Sequence, residues 1–216
     1  MTRRGQKQKK SSEPLRIAVL VSGAGSSLRN LIDRTRDGRL PGVEIAVVIS
    51  SRSTVRAVQR ARDADIPLEI IRVRDFPDVR CFSDQIALTI DIYAVDLVVQ
   101  AGWLCYWRPP RRWMGRVINI HPALLPRYGG KGFYGHHVHE AVLAAGDTES
   151  GATVHWVDEQ YDHGEIIAQQ SCEVRPDDTP AALADRVQSL ERELLPRVIA
   201  QIRDGGIKPP RIRTAR

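Results

Sequence analysis

LRIAVLVSGAGSSLRNLIDRTRD, residues 15–37, decides the fold class. Its first seven residues are apolar except Arg16, a short run that suits a strand buried on both faces. Ser22-Gly23-Ala24-Gly25-Ser26-Ser27 follows, and then Leu28, Leu31 and Ile32 recur at helical spacing within residues 28–37. Strand, small-residue loop and helix make the first βα unit of an α/β protein. The same unit is a ready anion site. Small residues let the backbone approach a phosphate, and the free N–H groups of the helix's first turn point at it.

Working outward, the pattern repeats. Strands are expected at 44–50, 69–73 and 97–101, and helices at 55–65 and 76–93. Residues 117–121 read as a strand that Pro122 ends. A helix at 136–145, strands at 151–157 and 166–174, and an amphipathic helix at 180–204 complete the chain. Pro196 is expected to kink or interrupt that last helix. The predicted architecture is a Rossmann-like three-layer α/β fold around a mostly parallel, roughly seven-stranded sheet. It spans residues 15–205 as one domain between two basic tails.

Those tails carry the charge. Of the net +6, residues 1–14 contribute +4 and residues 206–216 another +4, leaving the body at −2. A basic groove for nucleic acid is therefore not expected in the folded part, and the tails read as solvated and disordered. No apolar run is long enough to span a membrane, and the basic N-terminus has no apolar segment behind it. Cys81, Cys105 and Cys172 are scattered and odd in number, which points to a reducing, cytoplasmic setting without disulfides. Monomer and homodimer both remain open.

Chemistry concentrates in VINIHPALLP, residues 117–126. Asn119 and His121 are two apart, so they share one face at the C-terminal end of a strand, where α/β sheets place ligands. An amide and an imidazole there can stabilise an oxyanion and move a proton. The alternative is two polar residues on a wet face. Asp158, Glu159 and Asp162 are rival carboxylates in or beside the turn at 161–164, and His155 reads equally as a structural strand residue. Gly102-Trp103-Leu104-Cys105-Tyr106-Trp107 can form a slot for a flat heterocycle or ordinary core. Residues 127–135, with four glycines, read as a mobile loop. His136, His137 and His139 lack a completing ligand, so no metal is expected. The loop at 23–28 matches only two glycines of a dinucleotide fingerprint, with Leu28 at the third place and Arg52 where a 2′-phosphate could be met. An NADP-binding reductase or a non-catalytic nucleotide-binding module thus stands as an alternative of another class.

VLVSGAGSSL (19–28), INIHPALLPRY (118–128), SGATVHWVDEQYDHGEII (150–167) and RVQSLERELLP (186–196) together resemble the folate-dependent formyltransferases over about residues 15–205. The nearest likeness is to the branch acting on phosphoribosylglycinamide in purine synthesis. The resemblance implies transfer of a formyl group from N10 of 10-formyltetrahydrofolate, as co-substrate, to that molecule's amino group. It assigns Asn119 as oxyanion donor, His121 as proton carrier and Asp162 as the carboxylate that favours the imidazolium. It places the substrate phosphate at Gly25, Ser26 and Ser27, where the family often has Asn in place of Ser27, and brings Gln188 and Glu191 to the nucleotide. Leu104, Cys105, Tyr106 and Trp107 occupy the folate wall where relatives carry Met-Arg-Ile-Leu, so backbone contacts would survive and an Arg contact is lost. An Arg expected at Val79 is missing, and Arg80 is its substitute. The partners are small molecules, with no membrane and no specific nucleic acid. The hydrolase that releases formate from formyltetrahydrofolate, or transfer to another amine, is the rival within the family. The positions of the first strand and last helix leave no room for the hydrolase's extra N-terminal domain or the extra C-terminal domain of the tRNA-directed relative, which favours the stand-alone transferase.

Overall fold

A computed structural model describes residues 13–210. Its sheet has seven strands: β1 (Leu15–Val21), β2 (Val43–Ser50), β3 (Leu68–Ile70), β4 (Leu97–Gln100), β5 (Val117–His121), β6 (Glu149–Trp156) and β7 (Ile166–Glu173). They lie in the order β3-β2-β1-β4-β5-β6-β7. The first five are parallel, and β6 and β7 add an antiparallel edge. The helices are α1 (Ser26–Arg36), α2 (Arg56–Asp63), α3 (Val79–Ile92), α4 (His136–Ala144) and α5 (Pro180–Arg203). The mostly parallel three-layer architecture expected from the sequence is the one observed.

The apolar runs explain the layers. Residues 17–21 of β1 are completely buried because helices cover both sheet faces. Ile17, Val19 and Val21 pack with Leu28, Leu31, Leu194 and Val198 on one face. Ala18 and Leu20 pack with Phe82, Ile86 and Ile90 on the other. The period of two in β1 thus feeds two separate cores.

The chain reverses its winding between β1 and β4. After β1 it moves outward to β2 and β3, then returns to place β4 on β1's other side. The loops leaving β1 and β4 diverge at this switch point and open a crevice. Ser22 ties them together: its N–H donates to Gly102 O at 3.0 Å, and its Oγ accepts from Leu104 N at 2.9 Å and from Ser51 Oγ at 2.7 Å.

Three local expectations differ. The strand expected at 69–73 ends at Ile70, and Val73–Asp75 is a 3-10 turn. The helix expected from residue 76 begins at Val79, because Asp78 caps it by accepting from Cys81 N at 2.8 Å, a standard use of Asp at an N-cap. The last helix runs through Pro196 without interruption. Proline has no N–H, so the carbonyl four residues back, on Arg192, loses its helix partner. Asn30 of α1 supplies a replacement, donating Nδ2–H to Arg192 O at 2.8 Å.

The expected tails at 1–12 and 211–216 lie outside the described residues. Residues 206–210, read as the start of the C-terminal tail, lie against the body: Ile207 packs on the core and its N–H reaches Gln201 O. Among the described residues no helix is long and apolar enough to cross a membrane.

Candidate active site

The crevice has a volume of about 660 Å³. It gathers residues from the β1–α1 loop, the segment after β4, the end of β5, the 130–136 loop, the 157–162 turn and one face of α5.

At one end is the N-terminus of α1. Gly25 is its N-cap, with φ of 70°, and no side chain caps the helix. The first-turn N–H groups are therefore left for a ligand. Only glycine fits at residue 25: a Cβ there would lie 2.7 Å from Ala57 Cβ, in a conformation side chains rarely adopt. Arg60 donates to Gly25 O at 2.6 Å and fixes the loop from behind. Gln188 of α5 reaches Ser26 Oγ at 3.1 Å and takes a bond from Arg192 on its own oxygen at 2.6 Å. Glu191, one turn on, is half-buried and lines the crevice. Burial pushes its carboxyl up to about 7, with Arg192 opposing.

At the other end, β5 delivers Asn119 and His121 to one face, as their spacing predicts. Tyr128 O lies 2.7 Å from His121 Nε2. A carbonyl only accepts, so the ring carries its proton on Nε2 and turns Nδ1 toward Asp162 Oδ2, 3.5 Å away. His121 is 4% exposed. Burial lowers its pKa below the usual imidazole value, against the opposing pull of Asp162 and the Tyr128 carbonyl. The expected influence of Asp162 is present, but desolvation outweighs it, and the resting ring is neutral at pH 7.

Asp162 is the hub of this end. Its Oδ1 accepts from Asn119 Nδ2 at 3.2 Å, and its Oδ2 from Gly130 N at 3.0 Å. Burial opposes its charge, yet the neighbouring His155 and His121 rings and the Gly130 N–H bond hold its carboxyl below the usual range. Asp162 has φ of 50°, a left-handed conformation that Asp tolerates better than bulkier residues. Gly164 lets the turn close: a Cβ there would lie 1.8 Å from Trp156 O. The Asp-x-Gly spacing thus has a steric reason.

His155 sits directly opposite Asn119 across the β5–β6 pair. Its Nδ1 donates to Trp156 O at 2.8 Å, so in the neutral ring Nε2 accepts from Asn119 Nδ2 at 3.1 Å. Both N–H groups of Asn119 are therefore engaged by protein acceptors. Sequence alone left His155 undecided; cross-strand register between an Asn-x-His strand and the ATVHW strand was the signal that could have placed it. Tyr128 and Gly130 were also missed, because they act through backbone groups that a sequence does not advertise.

The structure brings Gly25, Ser26, Ser27, Leu104, Cys105, Tyr106, Trp107, Asn119, His121, Asp162, Gln188 and Glu191 to this one crevice. Tyr106 stacks at a tilt on Tyr161, centroids 5.2 Å apart, and bonds Glu159 O through its hydroxyl at 2.7 Å. Trp107 is mostly core: it is buried, and its Nε1 donates to Ser83 O at 3.3 Å. Arg80 is a correction. It does not line the crevice, and its side chain is 90% exposed beside Asp84, because the second residue of α3 faces solvent. Among the described residues no group of three or more His, Cys, Asp or Glu is arranged to hold a metal ion. His137 pairs with Glu140 at 3.3 Å, while His139 is buried in the crevice wall and burial lowers its pKa to about 4.

The model of the formyl transferase family matches residues 15–199. The chain is 40% identical over 194 residues to the trifunctional purine biosynthetic protein adenosine-3 of Drosophila melanogaster, covering 88% of this chain and 14% of that protein. It is 35% identical over 195 residues to the Homo sapiens protein of that name, covering 89% of this chain and 19% of that protein. The chain thus spans less than a fifth of these curated relatives. A solved phosphoribosylglycinamide formyltransferase from Coxiella burnetii, in complex with CHES, superposes with a TM-score of 0.83 at 38% identity, covering 92% of this chain and 91% of that one. Glycinamide ribonucleotide transformylase 1 from Symbiobacterium toebii superposes with a TM-score of 0.83 at 34% identity, covering 90% of each chain. On the family match across nearly the whole folded body, the chain belongs to the formyl transferase family.

Proposed function

We propose that this chain transfers the formyl group of 10-formyltetrahydrofolate to the amino group of 5′-phosphoribosylglycinamide, a step of de novo purine synthesis. The observation that carries the reading is a single crevice holding an uncapped helix N-terminus at one end and the Asn119, His121 and Asp162 cluster at the other. The family and the names of the similar proteins support it. They also displace the reductase alternative, as does Leu28, fully buried where a dinucleotide loop would need glycine.

The phosphate lies at the first-turn N–H groups of Ser26 and Ser27, with Gly25 allowing the approach, and Glu191 and Gln188 face the ribose. The folate donor lies along Leu104, Cys105 and Tyr106. Attack of the amine on the formyl carbon puts negative charge on the formyl oxygen. Asn119 exchanges its bond to Asp162 for one to that oxygen, a donor of a kind typically worth ~3–4 kcal/mol in the transition state. His121 starts neutral, takes the proton released by the attacking amine and returns it to N10 as the C–N10 bond breaks. Asp162, ionised beside it, favours the imidazolium while it lasts. No acyl-enzyme is involved. A cytoplasmic setting goes with this reading, supported by three free cysteines.

The test is to incubate the protein with the formyl donor, with and without the amine. Donor consumption matched by formylated amine is expected. Equal consumption in water alone contradicts transfer and supports hydrolysis.

A further inference from the structure

Asp147, just past the end of α4, belongs to neither end of the crevice and does not line it. Yet its side chain is only 16% exposed, and its carboxylate is doubly engaged. Its Oδ2 accepts the Tyr128 hydroxyl proton at 2.6 Å, and its Oδ1 accepts from Arg127 Nη2 at 2.8 Å. Those two bonds hold its carboxyl below the usual range, so it is an anion at any pH where the enzyme would work. Arg127 also lies over the Tyr128 ring, 5.2 Å from its centroid, and Phe133 meets the ring edge-on, centroids 6.2 Å apart. The Asp147 backbone is itself tied to α4 by its N–H on Val142 O.

Tyr128 is clamped because its backbone does unusual work. Its φ is 55°, a left-handed conformation that a non-glycine residue keeps only where its surroundings hold it. In that conformation its carbonyl points at His121 Nε2, 2.7 Å away, and two residues later Gly130 N–H points at Asp162 Oδ2. One short segment therefore meets both the proton carrier and its carboxylate.

We propose that Asp147 is a positioning residue: through the Tyr128 hydroxyl it locks the Tyr128 carbonyl onto His121 and so sets which ring nitrogen faces Asp162. The proposal rests on the functional reading above only for the meaning of His121. Its geometry stands without it.

The groups facing His121 are Asp162 from the turn, His155 from β6, His139 from α4 and the Tyr128 carbonyl. The carbonyl bond raises the His121 pKa, so loosening it lowers that pKa further. Two variants serve as tests. Tyr128→Phe keeps ring and backbone but loses the hydroxyl; Asp147→Asn keeps the shape but loses the charge. Both are expected to lower kcat about tenfold, in line with the cost of a small misplacement at a reacting centre, with KM for both substrates unchanged. The double variant should be no worse than the poorer single, as for two links of one strut. Histidine-selective NMR titration should show the His121 resonance titrating at lower pH in each variant. An unchanged His121 titration with only a lowered Tm makes the Tyr128–Asp147 bond a plain stabilising contact and overturns the proposal. The NMR readout needs no substrate, so it decides the strut even if formyl transfer is absent in the wild type, which would fail the functional reading alone.

Discussion

At the proposed phosphate end of the crevice the lining groups include backbone N–H groups of α1, the Ser26 and Gln188 side chains and the Glu191 carboxyl. At the proposed formyl end they include the side chains of Asn119, His121, His155 and Asp162, carried by β5, β6 and the following turn. The N–H groups of the first end need no titration to attract an anion, since a helix N-terminus is electropositive at every pH. The second depends on which nitrogen holds a proton, and the surrounding bonds decide that. Holding an anion takes geometry alone, whereas moving a proton takes geometry and a poised pKa.

That contrast can be broken from either side. Asn119→Ala and His121→Ala carry the largest expected effect: kcat reduced on the order of 10²–10³-fold for a lost oxyanion donor or proton carrier, with binding of the phosphorylated amine retained. Steady-state kinetics checks this, and a shift confined to KM would show that the formyl end only binds.

Glu191→Gln reverses the sign on stability. A native pKa of about 7 against an ordinary 4.5 means the folded state holds a proton that the unfolded chain has lost between those values. Stability therefore falls as pH rises through that window, by up to ~3 kcal/mol at pH 8. The glutamine variant should be more stable by that order at pH 8 and about equal at pH 4, while binding the amine substrate more weakly. Urea melts and calorimetry at both pH values test it.

His139 works in the opposite direction. Its native pKa, lowered from 6.5 to about 4, means the unfolded chain binds the extra proton as pH falls below 6.5. Its contribution is intact above pH 6.5 and lost on acidification toward pH 4, about 2 kcal/mol by pH 5. His139→Leu should remove that part of the loss between pH 7.5 and 5 in denaturant titrations.

The smallest effect concerns the scaffold under the phosphate end. Asn30→Ala leaves the Arg192 carbonyl without its replacement donor and should cost about 1 kcal/mol. The double variant with Pro196→Ala, which restores the helix N–H, should recover most of it.

The first strand–loop–helix unit was legible because it is local. Strand, small-residue loop and helix are adjacent in residues 15–37, and their spacing dictates the geometry. The pairing of Asn119 with His121 was legible for the same reason, a strand's period of two. Their partners were not. His155 reaches Asn119 only through antiparallel register, and Tyr128 reaches His121 through a carbonyl that any residue possesses. Arg80 shows the opposite failure: a charge one position from the expected one lies on the helix's solvent face. The Pro196 expectation treated one helix alone, while the neighbouring helix supplied the missing bond.

The division between the ends is tested most directly by measuring two quantities on Asn119→Ala: the calorimetric Kd for phosphoribosylglycinamide and the single-turnover rate of formyl transfer. A Kd within about threefold of wild type and a rate lower by about 10³ are expected. A rate near wild type, or a loss that appears wholly in Kd, contradicts that division.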